Sequence, residues 1–356
     1  MNQIEVIITI EGAVGRLTLN RPDALGALTT GMCVEMIAAL EAWRADDAVQ
    51  AVMIDHQGRG FCAGGDIRTL ADSARGDGKL SQEFFFTEYQ LDHLIFEYPK
   101  PVITIMDGVT MGGGVGISWT AQYRIATERT TFAMPETGIG LFPDVGAGWF
   151  LPRLHGKVGM WLGLTGARLR WADCELLGIA TDTVRSDDLA ALKAAIVADP
   201  AAIETALALH EAEPGHAPVG DMRDQIDALF AGASIEAIVA CLEEDQSDWA
   251  KTQLAALKTK SPTSLKVAHR LITTGAGFAD FAQDMVCEHR ISARLAHSAD
   301  FIEGVRAVII DKDNTPDWTP SSLWGVTPAM LDDIFEALPQ GEEWTPLPST
   351  NGAQSR

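Results

Sequence analysis

Two carboxylates eight residues apart set the chemistry this chain could do. Glu136 stands in Phe132-Ala133-Met134-Pro135-Glu136-Thr137-Gly138-Ile139-Gly140, and Asp144 in Leu141-Phe142-Pro143-Asp144-Val145-Gly146-Ala147-Gly148. Apolar residues and glycines surround both. Burial in such a setting disfavours the charged form and moves a carboxyl toward the pKa of a useful general base. Plainer readings stand beside that one. Glu136 could be an exposed loop acid, and Asp144 could be the N-cap of a helix starting near Gly146.

Two glycine-rich segments could hold what such acids act on. Phe61-Cys62-Ala63-Gly64-Gly65-Asp66-Ile67 follows a buried strand and precedes a helix, so its backbone N–H groups can approach an anionic ligand closely. A tight strand-to-helix turn accounts for it as well. Gly108-Val109-Thr110-Met111-Gly112-Gly113-Gly114-Val115-Gly116 has five glycines in nine residues, which is costly unless backbone must pack or bind closely. It lacks both the GxGxxG spacing and a following Gly-Lys-Ser/Thr, which disfavours dinucleotide and Walker-type sites. Two loops of this kind could donate two N–H groups to one oxygen, the arrangement of an oxyanion hole.

Other chemistries find little support. The eight histidines, among them His56, His93 and His155, show no ligand spacing, so no metal is expected. Five scattered cysteines without a CxxC pair read as reduced thiols.

The elements that must position these segments follow from periodicity. Ile4–Ile10 and Val14–Asn20 around Glu11-Gly12 read as a hairpin. Ala51–Asp55 and Pro101–Met106 are apolar runs suited to buried strands, and Arg124–Ala126 and Thr131–Ala133 are strand-like. Met32–Trp43, Phe84–Phe96 and the segment after Gly112-Gly113-Gly114 to Trp119 read as helices, and Ser261-Pro262-Thr263 as a helix start. Strand–helix alternation argues an α/β fold with a buried sheet. From about Asp187 the texture turns Ala-, Leu- and Glu-rich and helical. This sets the expected division at 1–190 for the core, 191–345 for a helical C-terminal region, and 346–356 for a disordered tail.

The whole chain has 356 residues, 47% hydrophobic and 21% charged. Its 49 acidic and 27 basic residues give a net charge of -22, which disfavours nucleic acid and anionic membranes as partners. No apolar run reaches the roughly 18 residues of a membrane span. The N-terminal MNQIEVIITIEG lacks the marks of a signal or transit peptide, so a cytoplasmic protein is expected.

FCAGGDI, MGGGVGIS, FAMPETGIGLFPDVGAGWFLPRL, SPTSLK and FIEGVRAVIIDKD together resemble the 3-hydroxyisobutyryl-CoA hydrolases of the crotonase superfamily, from about residue 4 to residue 325. The resemblance implies a crotonase-like spiral of ββα units followed by a helical C-terminal region. It implies an acyl-CoA substrate, no metal or other cofactor, a possible homo-oligomer, and thioester hydrolysis belonging to valine breakdown. By position, the N–H groups of Gly65 and Gly113 match the oxyanion pair, with Gly112 beside them. Ala63, Gly64 and Asp66 lie where substrate and its nucleotide bind. Glu136 matches the catalytic carboxylate, Asp144 the second acid, and Glu88 in FFFTEYQ a further substrate contact. Related hydratases carry one glutamate at the position of Gly116 and another at Glu136. Here the first is glycine, and Asp144 stands where they have glycine. That pair fits thioester hydrolysis better than hydration, with a hydratase/isomerase and a non-catalytic acyl-CoA-binding paralogue as the rival readings. Asp23 and Gly26 depart from the family's usual lysine and asparagine, which leaves Arg21 as a weaker cation for the CoA phosphates.

Overall fold

A computed structural model describes residues 4–348. Of the tail expected over 346–356, residues 349–356 lie outside the described residues. Among the described residues, eight strands run in chain order as β1 (Val6–Glu11), β2 (Val14–Leu19), β3 (Ala51–His56), β4 (Val102–Met106), β5 (Val109–Met111), β6 (Tyr123–Ala126), β7 (Thr131–Ala133) and β8 (Asp182–Thr183). The β1–β2 hairpin closes with Glu11 opposite Val14. It opens a six-stranded sheet of order β1-β2-β3-β4-β6-β8, parallel from β2 onward.

Buried parallel strands read as unbroken apolar runs because both faces of the sheet are covered. In β3, successive side chains point to opposite faces, and the two faces meet different cores. Val52 and Ile54 join Leu17, Met36 and Leu40 in the larger core, whereas Ala51 and Met53 pack with Ile103, Leu192 and Ile196. The larger core is continuous with the C-terminal helices: Leu271, Phe281, Phe301 and Trp344 belong to it.

Five helices carry the site-forming segments: α1 (Thr30–Arg44), α2 (Ile67–Ala74), α3 (Lys79–Phe96), α4 (Gly113–Trp119) and α5 (Ala147–Phe150). In α1, Met32, Met36, Leu40 and Trp43 recur on one buried face, and the Thr29 hydroxyl accepts from Met32 N at its start. Beyond β8 the regular structure of the described residues is helical.

A small second sheet does the positioning. β5 pairs in parallel with β7, and Cys62 bridges to Thr110 on the other side of β5. Cys62 N donates to Val109 O at 2.9 Å, and Met111 N to Cys62 O at 2.9 Å. Three segments far apart in sequence, 61–65, 109–113 and 131–136, are thereby stitched side by side.

Candidate active site

The stitched segments meet at a cavity of about 60 Å³, lined by the loops at Gly64-Gly65 and Gly112-Gly113 and by Glu88, Glu136 and Asp144. Ala63 lines it as well. The two glycine loops touch: a Cβ built on Gly112 would lie 3.2 Å from Gly64 Cα and 3.6 Å from Glu136 Oε1. Among the described residues, neither Gly65 N nor Gly113 N has an intramolecular acceptor.

The close approach of α3 to α4 explains the missing side chains at Gly113 and Gly116. Glu88 Oε1 occupies the place a Cβ on Gly113 would take, and both Asp92 carboxylate oxygens lie 2.7 Å from the corresponding place on Gly116. The space at position 116 is therefore filled by a carboxyl from a different helix.

Glu136 opens a short 3-10 turn after Pro135 and is 5% exposed, with Oε2 unpartnered. Burial first, and then the charge of Asp144, pushes its carboxyl well above the usual range, while Lys260 pulls the other way. Asp144 is 6% exposed and accepts a hydrogen bond from Tyr89 OH at 2.8 Å. Burial pushes it up to about 7 against that bond. Glu88 is likewise pushed well above the usual range by burial and then by Asp92, Asp144 and Glu136. Such clustering of perturbed acids in a cleft is what acid–base chemistry requires.

Asp144 does not cap α5. The helix begins with Gly146 at its N-cap position and no side-chain cap of its own. Ala147 N donates to the Asp144 backbone carbonyl at 3.1 Å, while Gly146 N and Gly148 N go to Glu288 and Trp149 N to Asp284 of the Phe281–Leu295 helix. Of the two roles open to Asp144 from spacing, its side chain does not cap this helix: Glu288 and Asp284 take the amides, and the Asp144 carboxylate is turned toward Tyr89. The turn is tight, with the β-branched Val145 at φ 54, a conformation costing on the order of 1–3 kcal/mol that its surroundings must hold.

Asp66 lies apart from this cavity. It caps α2, accepting from Thr69 N at 3.4 Å, and pairs with Arg21 at 2.8 Å. Arg21 also pairs with Glu5 at 3.2 Å and donates to Ala27 O at 2.7 Å. Both residues hold the loop rather than face the cavity, so Arg21 is engaged in structure. No group of three or more His, Cys, Asp or Glu among the described residues is arranged to hold a metal ion.

Tyr89, Asp92, Asp284 and Glu288 were not singled out from sequence. Asp92 has the sharpest consequence, being fully buried with neither oxygen partnered. Burial and then the charge of Asp144 push its carboxyl well above the usual range. The folded state thus holds this proton more tightly than an unfolded Asp near pKa 3.9. The cost is absent below about pH 4 and accumulates as pH rises toward the folded pKa, by about 1.4 kcal/mol for each pH unit crossed. Asp92→Asn is therefore expected to raise Tm more at pH 8 than at pH 5. A Tm difference independent of pH in thermal melts would show that Asp92 does not carry that proton.

Residues 14–335 match the family model described as enoyl-CoA hydratase/isomerase. The chain is 43% identical to the mitochondrial 3-hydroxyisobutyryl-CoA hydrolase of Danio rerio, covering 94% of the chain and 90% of that protein. To the Homo sapiens protein of the same name it is 40% identical, covering 94% and 89%. Among solved structures, a carnitinyl-CoA dehydratase from Mycobacterium thermoresistibile superimposes with a TM-score of 0.92 at 38% identity, covering 96% of this chain and 99% of that one. An enoyl-CoA hydratase from Rhodobacter sphaeroides gives 0.89 at 38% identity, covering 96% and 100%. The curated relatives carry mitochondrial names, which overturns the cytoplasmic placement expected from the N-terminal residues. Matched by the family model over most of its length, with two near-complete structural counterparts, the chain belongs to the enoyl-CoA hydratase/isomerase family of the crotonase superfamily.

Proposed function

We propose that this enzyme is a thioesterase that hydrolyses a short 3-hydroxyacyl-CoA, 3-hydroxyisobutyryl-CoA first among them, to the free hydroxy acid and CoA, a step of valine breakdown. The names of curated relatives at 40–43% identity support it. The observation in the molecule that carries the reading is the pairing of Glu136 and Asp144 in one buried cavity beside two free glycine amides.

In this reading the thioester oxygen lies between the N–H groups of Gly65 and Gly113. Those donors stabilise the negative charge that builds on it, and one such donor is typically worth about 10²–10³ in rate. Glu136 either attacks the carbonyl carbon, expelling CoA thiolate and leaving a mixed anhydride that water then opens, or takes a proton from the attacking water. Both routes begin with Glu136 ionised. Asp144 orients the acyl hydroxyl and delivers a proton to the departing thiolate, a role suited to an acid pushed up to about 7. The chemistry needs only water and the chain's own residues, with CoA entering as part of the substrate.

The solved structures named as a dehydratase and a hydratase favour a second reading, hydration of an enoyl-CoA. On purified protein, thiol release from 3-hydroxyisobutyryl-CoA or 3-hydroxypropionyl-CoA is expected to outrun hydration of crotonyl-CoA. Hydration faster than hydrolysis would overturn the proposed assignment in favour of the second.

A further inference from the structure

The turn bearing Asp144 is held from outside its own segment. Val145 has φ 54 and Gly146 φ 98, so the chain reverses sharply just after the acid. The helix that follows, α5, has only four residues and supplies no cap for its own amides. One side chain from 140 residues away takes an amide of the turn and one of the helix: Gly146 N donates to Glu288 Oε2 at 3.0 Å and Gly148 N to Glu288 Oε1 at 3.1 Å. Trp149 N donates to Asp284 Oδ2 at 2.8 Å. Glu288 and Asp284 are separated by one helical turn, and both are fully buried. Tyr89 OH of α3 donates to the Asp144 carboxylate itself at 2.8 Å.

We propose that Glu288 is a positioning residue for Asp144. Its two oxygens grip the amides on either side of Ala147, fix the Val145-Gly146 turn, and so set where the Asp144 carboxylate stands in the cavity. The Phe281–Leu295 helix thereby completes a site whose other parts come from the N-terminal half. A carboxylate can accept at both oxygens, whereas an amide offers one acceptor and presents an NH₂ group to the second N–H. Glu288→Gln therefore keeps the volume and breaks the two-point grip. A buried N–H left without an acceptor carries a desolvation cost, and the turn relieves it by moving. The inference rests on the reading that Asp144 takes part in the reaction.

The test is a double-mutant cycle on the purified full chain with 3-hydroxyisobutyryl-CoA: wild type, Glu288→Gln, Asp144→Asn and the double variant. Glu288→Gln is expected to lower kcat about 10-fold or more with KM within about twofold, since the catalytic acid moves while the binding loops stay. In the Asp144→Asn background the same change is expected to cost less than about twofold, because the residue it positions is already disabled. Should Glu288→Gln fail to fold, Glu288→Asp carries the cycle, since its acceptors are drawn back by one methylene and must pull the same turn. A general structural defect lowers kcat by the same factor in both backgrounds, and multiplicative losses overturn the proposal while leaving the role of Asp144 intact. Wild-type turnover by Asp144→Asn overturns that role, and this inference with it.

Discussion

Glu136→Gln is expected to lower kcat by about 10²–10⁴, the range a positioned general base contributes, with KM for the acyl-CoA nearly unchanged. The amide matches the protonated carboxyl in shape and can neither attack a carbonyl nor accept a proton from water. Its fold should be kept. Glu136 is buried with an unpartnered Oε2, and its ionised form already suffers from burial and from the charge of Asp144. The neutral amide removes that conflict instead of creating one. The sign of the accompanying pH dependence follows. A group whose pKa is raised is protonated over a wider range, so wild-type kcat/KM should climb with pH as Glu136 ionises, and the variant should lose that limb. Steady-state kinetics with thermal melts check both statements. A folded variant retaining more than about a tenth of wild-type kcat removes Glu136 from the chemistry.

The strands were readable because burial on two faces leaves a plain mark. Ala51–Asp55 reads as an apolar run, and β3 spans Ala51–His56. Pro101–Met106 likewise corresponds to β4 at Val102–Met106. The glycine segments were readable because close backbone approach excludes Cβ atoms, and glycine is the record of that exclusion; the burial of Glu136 left its mark in the apolar residues around it. What no local pattern carries is the identity of the partner. Nothing around Gly116 says that Asp92 will fill its space, and nothing around Gly146 points to Glu288, 142 residues away.

A weaker signal was present in the helices themselves. Glu88 and Asp92 lie one turn apart in phase with the buried Phe84, Phe85, Leu91 and Ile95. Asp284 and Glu288 share the buried stripe of Phe281, Met285, Ile291 and Leu295. An acid pair at i,i+4 usually marks a solvated face, and its appearance on the apolar face is costly unless the acids are neutral or hydrogen-bonded. Glu288 meets that demand with an amide at each oxygen, whereas Asp284 has one amide and one unpartnered oxygen, and burial raises the pKa of both. Asp92 has no hydrogen-bond partner, and burial pushes its carboxyl toward the neutral form. The two roles of Asp144 stayed open in sequence for a related reason: aspartate before a helix normally serves that helix, and here the amides are taken by acids the local sequence does not show.

Asp144→Asn now separates stability from catalysis more cleanly than a capping argument would. Asparagine can still accept from Tyr89 OH through its carbonyl, and the turn remains held at Gly146 and Gly148 by Glu288. The negative charge is lost, and that charge raises the carboxyls of Glu136, Glu88 and Asp92. Because burial carries Asp144 itself up to about 7, its ionisation costs the fold stability progressively between about pH 4 and about pH 7. The variant should therefore melt at or above the wild-type temperature at pH 8, with the advantage shrinking toward pH 4. Its kcat/KM on 3-hydroxyisobutyryl-CoA should fall by at least about 10²-fold, the lower end for a lost proton donor, because the departing thiolate has no acid beside it. The residual activity should rise with pH at lower pH than in wild type, since Glu136 ionises more easily once its neighbour is neutral. Wild-type kcat/KM together with an unmoved pH limb would mean that Asp144 neither serves the leaving group nor sets the charge on Glu136.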